Sequence, residues 1–143
     1  MAEAYKGPTQ LMIGGQWVDG ARGQTIDVLN PFNATKITAI AEATEEDVDL
    51  AVAAAKAAFP AWAKMAAHDR GALMLKLADA IEARAEEFIA LEALDTGHPV
   101  MDARRLDVPR TVLCFRYFGG MADKLQGDVL PVDAGFLNYV KRE

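Results

Sequence analysis

One cysteine, Cys114, stands among 143 residues, so no disulfide can close within the chain. No apolar run approaches the roughly 20 residues that a membrane-spanning helix needs. Residues 1–10 lack the apolar stretch of a secretory signal and are expected to be disordered. These absences make a cytoplasmic setting the expectation. Positive charge is also scarce: 15 Lys and Arg against 21 Asp and Glu give a net charge of −6. That balance argues against nucleic acid or an anionic membrane as a partner. The one local basic cluster, Arg104, Arg105 and Arg110, is interrupted by Asp102 and Asp107. Neither G-x-G-x-x-G nor G-x-x-x-x-G-K-S/T occurs, which removes the dinucleotide fingerprint and the P-loop. C-x-x-C and H-E-x-x-H are missing too, so no zinc ligand set is visible.

What is present suffices for one ordinary domain: 52% of residues are apolar and 25% charged, which excludes a disordered chain. The pattern divides into three blocks. From Leu11 to about Glu42 it is strand-rich. Leu11-Met12-Ile13 and Gln16-Trp17-Val18-Asp19 flank the turn signal Gly14-Gly15 and predict a hairpin. Thr25 to Leu29 and Lys36 to Ala41 predict two more strands about the turn Asn30-Pro31.

The second block is helical. Thr44, with Asp47 three positions on, predicts a capped helix start. Val48, Val52, Ala55, Phe59 and Trp62 fall on one face of that helix, and Pro60 is expected to end or kink it. A longer helix is predicted from near Asp69 to Leu94. Leu73, Leu77, Ile81, Phe88, Leu91 and Leu94 form its buried stripe, and Gly97 and Pro99 stop it. A third helix starts near Asp107 with Pro109 in its first turn, turns Val108, Val112, Phe115, Phe118, Ala122 and Leu125 to one side, and ends at Gly127. The last block, Asp128 to Glu143, predicts two strands about Asp133-Ala134-Gly135. The fold class is α+β: N-terminal β-hairpins, a three-helix segment and a C-terminal strand arm.

Few side chains offer chemistry. Cys114 falls mid-helix between Leu113 and Phe115, away from any helix N-terminus and with only Arg116 nearby to lower its pKa. It is expected to be a small packed apolar residue. His68 reads as solvated or capping, and His98 as facing the last carbonyls of a helix; neither has a sequence neighbour that makes a catalytic pair. Glu45-Glu46-Asp47 complements a helix dipole, and Glu82, Glu86 and Glu87 read as a solvated face. Gly14-Gly15 and Gly119-Gly120 read as a turn and as close helix packing.

Several stretches then match one pattern in order. They are Ile13-Gly14-Gly15-Gln16-Trp17-Val18-Asp19, Asn30-Pro31, Asp47-Val48-Asp49 with Ala53 to Phe59, Leu91-Glu92-Ala93-Leu94-Asp95-Thr96-Gly97-His98-Pro99, and Asp107-Val108-Pro109 with Phe115 to Lys124. Over nearly everything after residue 10, the chain resembles the opening of the NAD(P)-dependent aldehyde dehydrogenases. His98 stands where the E-x-L-D-x-G-K-P signature has lysine, and Phe32-Asn33-Ala34-Thr35 departs from the usual N-P-A-T-G continuation.

The resemblance implies a partial fold, lacking most of the Rossmann-like cofactor domain and all of the catalytic domain. Residues 11–126 would be the N-terminal strand-plus-helix part, and residues 127–143 the start of an oligomerisation strand arm. In that family a cysteine thiolate attacks the aldehyde, an asparagine and a backbone N–H hold the oxyanion, hydride leaves to NAD(P)⁺, and a glutamate activates water. Those groups lie in P-W-N-F-P, E-L-G-G and G-Q-x-C motifs, none of which occurs here. No catalytic or cofactor-binding residue is therefore assigned, and Cys114 does not align with the nucleophile. NAD or NADP would serve the full-length enzyme, with none expected on this chain alone.

Three lesser roles carry over. Leu106 and Arg110 match a substrate-tunnel wall, where an arginine could attract an acidic aldehyde; the alternative is a surface arginine paired with Asp107. Asp95, with the backbone of Leu29, matches a structural monovalent-cation site; the alternative is a helix-end acid with local hydrogen bonds. Tyr139, Val140 and Lys141 match the arm that adds to a neighbouring subunit's sheet. The implied partners are the rest of the dehydrogenase, identical subunits and, for the full enzyme, a small aldehyde, with neither nucleic acid nor membrane. Two functional readings follow: the N-terminal segment of an aldehyde dehydrogenase, inactive alone, or a non-enzymatic interaction module derived from that fold. Either way, Phe115, Phe118 and Leu125 should expose apolar surface and favour self-association or marginal stability.

Overall fold

The computed structural model describes residues 5–141. Residues 1–4 of the expected disordered N-terminus lie outside them. Later in that same stretch, the Thr9 carbonyl accepts the Ala41 N–H at 2.7 Å. The strands form three separate antiparallel pairs. β1 (Leu11–Ile13) and β2 (Gln16–Val18) are joined by Gly14 and Gly15 at φ +59° and +80°, a conformation that two-residue hairpins require and glycine adopts without strain. β3 (Thr25–Leu29) pairs with β4 (Lys36–Ala41), with a register shift between Val28 and Leu29. The Asn30-Pro31 turn closes this hairpin: Asn30 Oδ1 accepts the Phe32 N–H at 2.9 Å, and the Asn30 carbonyl accepts the Ala34 N–H at 2.8 Å.

α1 (Glu45–Lys64) begins at a complete capping box between Thr44 and Asp47. Asp47 is buried, at 3% exposure, because its carboxylate takes three donors: the Thr44 N–H and hydroxyl, both at 2.8 Å, and the Ala21 N–H, shared between its two oxygens at 3.1 and 3.2 Å. One carboxylate thus pins the loop after β2 to the start of α1. Pro60 does not end α1, which runs on to Lys64. A proline removes one ladder hydrogen bond but holds a helical φ, so the helix can pass through it at a cost.

The long helix expected from Asp69 to Leu94 is two helices, α2 (Ala67–Ala83) and α3 (Ala85–Thr96). They part at Arg84, whose φ of −113° and ψ of +22° leave the helical region. Its guanidinium grips Glu87 through two bonds of 2.8 and 2.6 Å. Gly97 then ends α3 at φ +73°, with its missing Cβ leaving room for Pro31 Cγ, which an ideal Cβ would meet at 2.9 Å.

The third expected helix starts earlier than Asp107. α4 (Val100–Asp102) leads through a π-helical stretch, Ala103–Asp107, into α5 (Val108–Met121) without leaving helical backbone. Val108 donates its N–H to the Ala103 carbonyl, an i→i+5 bond. Pro109 explains the widened turn: it has no N–H to give Arg105 and its ring needs room. α5 also stops at Met121 rather than Gly127, and Lys124 Nζ returns to the Gly120 carbonyl at 2.7 Å.

α2 and α5 cross where Gly71 meets Gly119: a Cβ on Gly71 would sit 2.5 Å from the Gly119 oxygen. Arg116 of α5 fastens the crossing through Asp79 at 2.9 Å and Glu82 at 2.6 Å. Arg104 bonds Glu86 and ties the π-helical stretch to α3. The glutamates expected as a solvated face are indeed exposed, yet each carries an arginine.

The apolar stripes expected to be buried are largely open. Among the described residues only Ala78, Ile89, Ala103, Val108 and Val112 form the buried apolar set, with Ile81 and Ala85 packed beside Ile89. Val48, Val52, Phe59 and Trp62 of α1 are exposed, Phe59 at 65%, and Phe118 of α5 is 56% exposed. The accessible surface is 11064 Å². A compact monomer of 15.5 kDa exposes about 7,200 Å² by the usual size scaling, so some ~3,800 Å² is in excess.

β5 (Val129–Leu130) and β6 (Asn138–Tyr139) close the described chain as a two-strand ribbon about Gly135, which has φ +102°. Every residue of both strands is exposed. Positions 142–143 of the expected arm lie outside the described residues.

Candidate functional site

Two concave regions flank α3. The first, about 350 Å³, lies between α3 and the β3–β4 hairpin and is walled by Val28, Ile37, Phe88, Leu91 and Asp95. Its lining is mostly apolar. The Asp95 carboxylate makes no hydrogen bond or ion pair among the described residues. Leu29, its suggested companion, is exposed at the end of β3, next to the register shift.

The second region, about 510 Å³, lies between α3 and the start of α5. Glu92, Asp107, Arg110, Thr111 and Cys114 line it over a floor of Ile81, Phe88 and Val108. Arg110 does not pair with Asp107. That carboxylate is taken by His98, whose Nδ1 lies 2.7 Å from Asp107 Oδ2, and Arg110 has no ion-pair partner among the described residues. Leu106 lies in the π-helical stretch, 47% exposed.

Cys114 is exposed, not packed. The reason is the stripe by which α5 packs: Val108, Val112 and Gly119 are its buried positions, and Cys114 falls off that line. Arg116, the cation nearest to it in sequence, is committed to Asp79 and Glu82. Tyr139 pairs with Val129 in the terminal ribbon, and the Val140 N–H reaches the Asp128 carbonyl at 2.9 Å. Lys141 follows it.

Sequence reasoning missed the His98–Asp107 pair. The residues are nine apart and meet only because Gly97 turns the chain and α4 brings Asp107 back past the end of α3. His68 has an acid partner as well, Asp69 at 3.1 Å, in the open.

The starts of the three long N-terminal helices are poor anion sites. The first turns of α1, α2 and α3 all carry acids (Glu45, Glu46 and Asp47; Asp69; Glu86 and Glu87), which repel a pyrophosphate where it would otherwise bind. Gly14-Gly15 is a hairpin turn, and Gly119 is pressed against Gly71 and Met74. The electrostatic perturbations are those of structure. The backbone N–H and hydroxyl of Thr44, with the Ala21 N–H, hold Asp47 below the usual carboxylate range. Arg104 lowers Glu86 and Arg84 lowers Glu87 in the same direction.

No helix among the described residues is long and apolar enough to cross a membrane. The profile of the Aldehyde dehydrogenase family matches residues 17–143. An aldehyde dehydrogenase from Alternaria alternata is 43% identical over 140 residues, covering 97% of this chain and 28% of its own length. A Burkholderia cenocepacia protein assigned to the aldehyde dehydrogenases has a crystal structure similar at TM-score 0.88 and 65% identity, over 94% of this chain and 28% of that one. PnpE from Pseudomonas sp. WBC-3 is similar at TM-score 0.85 and 62% identity, over 92% and 27%. PnpE has also been solved with nicotinamide adenine dinucleotide. The chain thus spans little more than a quarter of the length of these relatives.

Proposed function

Because the chain belongs to the aldehyde dehydrogenase family and corresponds to its N-terminal portion, we propose that it serves an NAD(P)-dependent oxidation of an aldehyde to a carboxylic acid as scaffold, tunnel wall and oligomer arm. The catalytic cysteine, glutamate and asparagine, and the NAD or NADP site, belong to polypeptide outside these 143 residues. The observation that carries this reading is the excess of accessible surface. Some ~3,800 Å² beyond a compact globule, on one chain alone, exceeds the ~1,000–2,500 Å² per partner that a large obligate interface buries. The open stripes of α1 and α5 are faces that such an interface would cover.

Within this reading Leu106 and Arg110 line the tunnel. Arg110 keeps its charge available because His98 occupies Asp107, and a guanidinium without a carboxylate partner favours an aldehyde that itself carries a carboxylate. Asp95 and the Leu29 backbone hold a structural monovalent cation. Tyr139, Val140 and Lys141 extend to an identical subunit by strand addition. The setting is cytoplasmic.

The test is turnover. The purified chain, freed of longer dehydrogenase by mass, is given a panel of neutral and acidic aldehydes with NAD⁺ or NADP⁺. No reduced nicotinamide above the protein-free rate is expected, and steady turnover would overturn the reading. The alternative, a non-enzymatic interaction module, would instead capture a partner bearing none of the P-W-N-F-P, E-L-G-G and G-Q-x-C motifs.

A further inference from the structure

On the α3 side of the second concavity, one ligand-bearing atom from each of Glu92, His98 and Asp107 lies within 4.8 Å of the others. These are the only metal-binding side chains that gather three at a time among the described residues. Each comes from a different part of the fold. Glu92 projects from α3, His98 follows the Gly97 turn, and Asp107 closes the π-helical stretch. His98 is held between a left-handed glycine and Pro99, with its own N–H on Thr96 Oγ1 at 3.1 Å, so the imidazole is placed by backbone.

The electrostatics of the trio ask for a cation. An unprotonated imidazole leaves two carboxylates converging on a neutral ring nitrogen. Arg110, on the same wall, bonds to neither acid. His98 Nδ1 and Asp107 Oδ2 lie within hydrogen-bond distance at 2.7 Å, and a metal ion binding both would displace the hydrogen between them. Glu92 has three side-chain torsions with which to close the remaining distance.

We propose that Glu92, His98 and Asp107 form a binding site for a divalent first-row transition ion of the zinc or cobalt type. One imidazole nitrogen and two carboxylate oxygens would supply three ligands and water the rest. A mixed nitrogen and oxygen set of this kind suits such ions, whereas all-oxygen sets suit magnesium and calcium. The site is independent of the dehydrogenase chemistry. Its bound ion would lock the end of α3 to the start of α5 beside the tunnel-wall residues.

The chain supplies its own control, because it has two histidines. His68 also touches a carboxylate, Asp69, and is near enough to Asp123 to lower its pKa, but no three ligand atoms gather there. The experiment adds CoCl₂ to the chelator-treated chain and follows both imidazole C2–H resonances by NMR, with ZnCl₂ calorimetry for stoichiometry. One ion per chain is expected, shifting or broadening the His98 signal at concentrations at least tenfold below those that reach His68. His98→Lys puts an ammonium at the position, with no lone pair to offer a metal at neutral pH, and Glu92→Gln removes one carboxylate without disturbing the His98–Asp107 contact. Both should weaken binding at least tenfold while leaving the helical circular dichroism unchanged. Equal response of the two histidines, absence of stoichiometric binding, or full binding by His98→Lys would overturn the proposal.

Discussion

Gly119 and Gly120 are neighbours on α5, yet alanine should act in opposite directions on the two sides of this helix. A Cβ on Gly120 meets nothing within 4 Å. Gly120→Ala therefore gains only the backbone preference, about 0.5–1 kcal/mol. Gly71, which faces Gly119 from α2, is the opposite case. Its Cβ would stand 2.5 Å from the Gly119 carbonyl oxygen and 3.2 Å from the Ala122 Cβ, against about 3.5 Å for an unstrained contact. The atom it strikes is backbone, so relief requires α2 and α5 to separate. Overpacking of this kind costs about 1–3 kcal/mol, and the helix-propensity gain of up to ~1 kcal/mol offsets part of it. The Gly71→Ala chain should thus be less stable by up to ~2 kcal/mol, and Gly119→Ala, with contacts of 3.1 Å to Gly71 O and Met74 Cβ, should fall between the two. Urea unfolding followed by helical ellipticity reads this as an order of midpoints: Gly120→Ala above the parent, the parent above Gly119→Ala, Gly71→Ala lowest. A Gly71→Ala midpoint equal to or above that of Gly120→Ala would refute the crossing as described.

Two further outcomes follow from the start of α1. Thr44→Ala removes the hydroxyl that caps the Asp47 N–H and should lower stability by about 1 kcal/mol, measured by the same urea transition. Asp47 is held below its usual range, mainly by the Thr44 N–H, so between that lowered value and about 3.9 the unfolded chain binds the extra proton. Its contribution is present above roughly pH 4 and is lost as pH falls below it. Midpoints at pH 6 and pH 3 should therefore differ less in Asp47→Asn than in the parent, and an unchanged difference would exclude Asp47 as a source of acid sensitivity.

Local signals were legible in the amino-acid order because their causes are local. Gly14-Gly15, Asn30-Pro31 and the Thr44–Asp47 box each act within four residues. The break at Arg84 was not legible, since Ala83-Arg84-Ala85 carries no helix breaker and the turn is held by Glu87 and by the packing of α2 on α5. The helix beginning at Val100 was hidden for a related reason. Pro109 reads as a first-turn residue, but the chain absorbs it within a π-helical stretch. Cys114 was expected to pack because its neighbours are apolar, whereas the Val108, Val112 and Gly119 stripe alone decides which side of α5 meets α2. The spacing of Val48, Val52, Phe59 and Trp62 marks a face that packs, but says nothing about whether its partner lies within the same 143 residues. The candidate site was least visible of all, because His98 and Asp107 come together only through the turn at Gly97.

The central claim is that the open apolar faces of α1 and α5 belong to a larger dehydrogenase. It is tested most directly by producing the chain together with a relative's polypeptide from which the matching segment has been deleted. Sedimentation should find the two in equal numbers in one particle, with hydrogen exchange at Phe59, Trp62 and Phe118 slowed relative to the isolated chain. A chain that sediments alone as a monomer, with those positions exchanging as before, would contradict it.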